Sequence, residues 1–404
     1  MVAPERRTRA DLVAALVIVV VVAVAAGLLW WTSDARATIS RPSAEPVPDL
    51  ETAREVPAGL RELWTAPSPK TARPVVAGGS IVTGDGREVD GRDATSGDVL
   101  WSYARDRELC GVTYVGYDAV AVYPDDRGCG QVTTLSGTDG KRGATRTAYA
   151  DPAVRLSGDG TTVLSYGDSR LEQWRSDMVR MLSWGALDAR IKPKIPVQPV
   201  CRLESAAASE SAVSVIESCP DASEPRLTLL RVGKEEDDPL KKYVPLKGVP
   251  DDNTARVIAV YGTSTAIYVP TPKPTVNVID ENGATVASTV IPKPISPNAV
   301  ASVDDNVVTW WTGDSVMVFD ANGLKYKYTV SAVGDQAPVG PAAVMAGKLL
   351  VPVTTGYDVF AAADGAPDRH IDVKRPSSET AVIPAVAGSV VLEQRGDTLV
   401  ALGS

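Results

Sequence analysis

A short apolar strand, a tight Asp/Gly turn and a second strand recur along this chain at intervals of about 42 residues. The clearest copy is Asp93-Ala94-Thr95-Ser96-Gly97-Asp98-Val99-Leu100-Trp101, with looser copies at 135–141, 278–283, 318–323 and 360–365. Hairpin turns need positive φ, which Gly adopts freely and Asn or Asp tolerate, so these residues dominate the repeated position. Hairpins at a fixed period of this length describe the four-stranded blades of a β-propeller. The pattern constrains architecture strongly and chemistry weakly.

Taken in order, the blades fall at about 73–105, 110–149, 153–187, 198–247, 255–291, 297–331 and 338–374. The third lacks a Gly turn between its outer strands but keeps an alternating pattern at 162–166 and 171–174. A charged insertion at 234–242 lengthens the fourth. Residues 381–404 supply three strands only, and 60–66, where Trp64 matches Trp101, resembles a missing outer strand. Joining the two closes the ring and removes an exposed edge. The expectation is an all-β propeller of eight four-stranded blades, with seven as the alternative because blades 3 and 4 rest on spacing.

Residues 93–101 resemble the repeat motif of PQQ-like propellers, in which a Thr-Gly turn and a terminal Trp mark the third and fourth strands of each blade. The resemblance covers about 58–404, although most repeats keep the turn and lack the Trp. Quinoprotein dehydrogenases of that family usually carry adjacent cysteines near the cofactor and Ca²⁺-ligating acids, and no Cys-Cys pair occurs in this sequence. In architecture the chain is similar instead to the quinone-free, BamB-type members and to single-pass propellers of actinobacterial envelopes. That resemblance implies a scaffold that holds no cofactor.

Residues 12–31 carry no charge and match the roughly 20 residues needed to cross a hydrocarbon core. Arg6, Arg7 and Arg9 precede them and Trp30 and Trp31 close them. By the positive-inside rule, 1–11 is a cytoplasmic N-terminus, 12–31 a signal-anchor in the cytoplasmic membrane, and all that follows extracytoplasmic. Cleavage after Ala37, in Ala35-Arg36-Ala37, is the rival reading, but the apolar run is long for a signal peptide. Residues 32–57, with Pro42, Pro46 and Pro48, read as a semi-extended linker that lifts the 58–404 domain off the membrane. The chain carries a formal charge of −9 although its first 11 residues are net positive. So acidic an ectodomain argues against nucleic acid or an anionic lipid surface as its main partner, and the charge reads first as a device for solubility.

Four cysteines form two close pairs, Cys110 with Cys129 and Cys201 with Cys219. Their matched spacing suggests two local disulfides, each from a probable first strand to a point just after the next strand, in an oxidising compartment. Crossed pairings stay open from spacing alone. A metal site would need clustered Cys or His ligands.

The single histidine, His370, falls on an expected outer strand, and no G-x-S-x-G or P-loop motif is present. Asp125-Asp126, 235–238 and Asp304-Asp305 lack Ca²⁺-loop spacing and read as solvated turns. No catalytic, cofactor-binding or metal-binding residue is therefore assigned. The candidate partner contact is Glu235, Glu236, Asp237, Asp238, Lys241 and Lys242, expected as a flexible extension on one rim. At least one of Trp310 and Trp311 is expected between blades. The leading functional expectation is a non-enzymatic envelope scaffold that binds a protein or a cell-wall component through its loops. A small-ligand sensor using the central channel comes second, and a quinoprotein-like oxidoreductase third.

Overall fold

Runs of Val, Ile, Leu and Thr in alternation, punctuated by Asp/Gly turns, fold into eight antiparallel sheets in the computed structural model. It describes residues 8–186, 200–250, 254–304, 306–334, 336–376 and 381–404. Arg6, Arg7 and Asp305, named above, lie outside the described residues. In blades 1 to 7 the strands run A to D in chain order from the centre outwards. Blade 1 comprises Val75–Ala77, Ser80–Asp85, Glu88–Arg92 and Val99–Ala104. Blade 8 takes its inner strands from Val382–Ala387, Val390–Arg395 and Thr398–Gly403, and its outer strand from Arg61–Pro67. That outer strand pairs antiparallel with the last one, from Arg61 opposite Gly403 to Pro67 opposite Thr398. The ring thus has eight blades, and the alternative count of seven falls.

Eight hydrophobic clusters coincide with the eight junctions between neighbouring blades. Blades 1 and 2, for example, meet through Trp101, Tyr103, Val112 and Tyr123, while Tyr268, Trp310 and Phe319 join blades 5 and 6. Each such side chain contributes about 1.5–3 kcal/mol by burial. Trp310 and Trp311 are both buried, one in the 5–6 junction and the other in the 6–7 junction.

The turn glycines have a second use. Gly97 (φ +76°) lies beneath Trp64 of blade 8, and Gly140 (φ +72°) beneath Trp101 of blade 1. A Cβ at these sites would meet the indoles at 2.6 and 2.7 Å. Val244 over Gly283 and Tyr328 over Gly365 repeat the contact between blades 4 and 5 and between blades 6 and 7. The residue that allows the turn therefore also makes room for the neighbouring blade's side chain.

The N-terminal helix Arg9–Trp31 has 23 residues, none of them buried, and a capping box in which Thr8 and Asp11 satisfy each other's backbone donors. Residues 32–38 join it to Ile39–Arg41, which pairs as a fifth strand on blade 1, with Ser40 opposite Tyr103. Beyond it, the Ser43 and Val47 amides donate to the Asp139 and Thr138 carbonyls at 2.9 and 2.7 Å. Val56 is buried against blades 7 and 8, and its carbonyl accepts from Arg369 Nη2 at 2.6 Å. The stretch expected as a semi-extended linker is thus laid along the ring as a strap. Its prolines donate no backbone bond, but the residues between them do.

Candidate functional site

At the centre, blades 1, 2, 6 and 8 border an open cavity of about 190 Å³, lined in part by Arg73, Tyr114, Asp304 and Pro384. Arg73 Nη2 donates to the Ala301 carbonyl at 3.2 Å, and the Asp304 carboxylate accepts the Val344 amide at 2.7 Å. Burial pulls the Arg73 guanidinium below its ordinary value and pushes the Tyr114 phenol above its own. This space is below the roughly 300–1,000 Å³ of ordinary ligand pockets.

The charged insertion is ordered. Strands Arg226–Glu235 and Asp238–Pro245 of blade 4 run on as one hairpin, with Glu235 opposite Asp238 and Glu236-Asp237 forming the turn. That turn folds over the outer strand Arg180–Gly185 of blade 3: the Glu236 carbonyl accepts the Ser183 amide at 2.6 Å, and its carboxylate pairs with Arg180. Asp237 is buried, and Lys241 Nζ stands 5.5 Å from the Trp184 ring centroid. The extension expected to be flexible is therefore a docked hairpin, held by the charge of Arg180, 56 residues away in sequence. Asp238, Lys241 and Lys242 all keep an exposed surface, with Lys241 on the side of Trp184 in blade 3 and Lys242 on the side of Gly283 in blade 5.

Buried carboxylates elsewhere are fully engaged. Glu172 in blade 3 accepts from Arg170 at 2.6 Å, Arg180 at 2.9 Å and the Trp174 ring N–H at 2.8 Å. Burial pushes this carboxyl up, but Arg146 and Arg170 outweigh it and the group sits below its ordinary value. In blade 8, Glu393 is likewise raised by burial and brought down further by Arg375 and Arg395. Glu217 in blade 4 accepts from Trp184 at 2.9 Å and Arg226 at 2.8 Å. A catalytic acid needs the opposite environment, one that keeps its proton near neutrality. His370 lies on the outer strand Pro367–Asp372 of blade 7, with Nδ1 2.7 Å from Asp358.

Cys110 is joined to Cys129 and Cys201 to Cys219, with Cα separations of 6.0 and 4.2 Å. The two bridges are not equivalent. In both, the second cysteine follows the second strand of its blade, but Cys219 stands at the end of that strand in blade 4 whereas Cys129 already belongs to the start of the third strand in blade 2. Cys201, Glu217 and Cys219 cluster within 4.8 Å, but bridged sulfurs are not the thiolates a metal needs.

Sequence reasoning missed a concavity of about 540 Å³ on the outside of the ring between blades 4 and 5. Val244, Leu246, Val269 and Val290 line it, together with the exposed Lys247 and Lys273. Its signal was present in the outer strand Thr285–Val290, which carries no charge.

No family model and no curated protein sequence matches this chain. Among solved structures it is similar to the C-terminal WD40 domain of Sif2, at 11% identity over 86% of this chain and 98% of that one, with a TM-score of 0.54. BamB from Moraxella catarrhalis is 12% identical over 86% of this chain and 98% of that one, with a TM-score of 0.48. A mitotic checkpoint complex chain is 10% identical over 88% of this chain and 95% of that one, at 0.46. At these identities the Sif2 likeness concerns the propeller fold alone; in this chain the eight blades are preceded by a helix long and apolar enough to cross a membrane.

Proposed function

We propose that this chain is a membrane-anchored, extracytoplasmic propeller that acts as a non-enzymatic scaffold for an envelope protein or cell-wall component. What carries this reading is the join between helix and ring. A 23-residue apolar helix with no buried side chain leads within seven residues into a strand hydrogen-bonded to blade 1. Inserted in a bilayer, that helix holds the ring at the membrane surface. Arg36 stacks on Trp31 at 3.7 Å, where an aromatic belt meets water. Two disulfides favour the oxidising side.

The engaged carboxylates and the small central cavity favour a scaffold over an enzyme or a channel-bound ligand. The exposed Asp238, Lys241 and Lys242 of the docked hairpin are the proposed contact, set on a rigid base. Protease added to intact spheroplasts should remove the ring and leave a membrane-bound fragment. A photo-crosslinker at Lys242 in intact cells should capture one envelope component that a crosslinker at exposed Lys325 on blade 6 does not. Release of the protein with Thr38 at its N-terminus would overturn the anchor, and a quinone absorbance band in the purified protein would overturn the scaffold.

A further inference from the structure

Sheet edges expose unpaired backbone groups, and proteins blunt them with charge, proline or a covering segment. Six of the eight outer strands here contain a charged residue or proline, such as Arg142 and Arg146 in blade 2, Lys325 and Lys327 in blade 6, and Arg61 and Glu62 in blade 8. Only two contain neither: Val99–Ala104 in blade 1 and Thr285–Val290 in blade 5. The first is covered by Ile39–Arg41 of the same chain. The second ends its sheet, and among the described residues no strand pairs with its outer side. Val286 and Val290 are 59% and 63% exposed there.

The bare edge borders the 540 Å³ groove, whose size is in the range of peptide and ligand sites. Among the described residues its lining combines apolar side chains such as Leu246 and Val269 with hydroxyl and amide groups such as Thr285 and Asn277, and carries Lys247 and Lys273 but no carboxylate. We propose that the outer strand of blade 5 is a docking site for an extended segment of a partner protein, one that adds as a fifth strand and carries carboxylates beside apolar residues. Backbone pairing supplies the adhesion in such β-augmentation, and side-chain pockets supply the selectivity. Blade 1 shows that this fold accepts a fifth antiparallel strand at the equivalent place. The lysines select an acidic occupant. A second copy pairing edge to edge would bring two lysine-lined grooves together with no carboxylate between them, which disfavours that occupant. The groove borrows Val244 from the base of the docked hairpin but none of its proposed contact residues Asp238, Lys241 and Lys242, and the proposal does not depend on the membrane anchor.

The probes are two fluorescent heptapeptides with one core, Glu-Val-Thr-Val-Thr-Val-Glu and Lys-Val-Thr-Val-Thr-Val-Lys, titrated against the full chain in detergent. The acidic peptide should bind at least about tenfold more tightly and slow amide exchange across 285–290. The double variant Lys247→Glu, Lys273→Glu should reverse the preference while leaving the melting temperature in place, since both side chains are exposed. Absent binding, equal binding of the two peptides, or protection confined to other blades would overturn the proposal. So would protection at 285–290 that rises with protein concentration in the absence of peptide, because a second copy would then be the occupant.

Discussion

Blades 1 and 5 share a backbone register and end differently. In both, the ladder between the third and fourth strands slips by one residue after the turn. Arg92 faces Val99 and Gly91 faces Trp101 in blade 1, while Ile279 faces Thr285 and Val278 faces Ala287 in blade 5. The bulge thus sets Trp101 and Ala287 at one equivalent point. Trp101 is buried, donates its ring N–H to the Gly137 carbonyl at 3.1 Å, and covers Gly140 of the next blade. Ala287 is an exposed methyl, and a Cβ on Gly323 of the next blade would meet nothing nearer than Lys325 at 3.7 Å. The repeat preserves the backbone and lets one side chain decide whether the outer rim of a junction is covered, while the 5–6 junction stays packed further in.

The largest expected effect is Trp101→Ala, which should destabilise the ring by about 3–5 kcal/mol in denaturant unfolding of the full chain. Ala287→Gly, the matching truncation in blade 5, should stay within about 1 kcal/mol. Equal losses would break the comparison. Next comes Gly140→Val, which combines a positive φ with a clash against Trp101 and should lose about 2–3 kcal/mol. Gly323→Ala has the same backbone strain with open space around it, so a drop of only about 1 kcal/mol is expected. Ser40→Pro should weaken the covering strand by about 1 kcal/mol. Faster amide exchange at 102–104 and concentration-dependent association should report the uncovered edge of blade 1. The smallest effect, and of opposite sign, is Ala287→Trp, which should restore the missing cover over Gly323 and raise stability by about 0.5 kcal/mol.

The period was legible because the turn makes a chemical demand that few residues meet, and Trp64 could be matched to Trp101 for the same reason. The strap was not legible. Pro42, Pro46 and Pro48 look like a semi-extended linker until the outer strand of blade 1 is known to lack any charge of its own. The hairpin at Glu235–Asp238 reads as solvated because its partner, Arg180, lies in a different blade and carries no mark of that pairing. Trp311 gives a similar lesson: alternation along a strand separates its two faces, but in a propeller both faces meet a neighbouring blade. The groove needed a comparison among outer strands, since Thr285–Val290 taken alone is an ordinary strand.

The pairing of Arg61–Pro67 with Thr398–Gly403 also has a consequence for biosynthesis. One half of the clasp emerges early and its complement more than 300 residues later, as in the contact of Thr71 with Gln394 at a separation of 323. Until the later half arrives, the early strand has no partner, and bringing the two together carries a loop-closure penalty of about 5 kcal/mol. Ring closure therefore belongs at the end of assembly. A chain halted before Thr398 would keep seven blades and a bare half-blade, a species that a protease or chaperone can distinguish from the finished ring by its open edge.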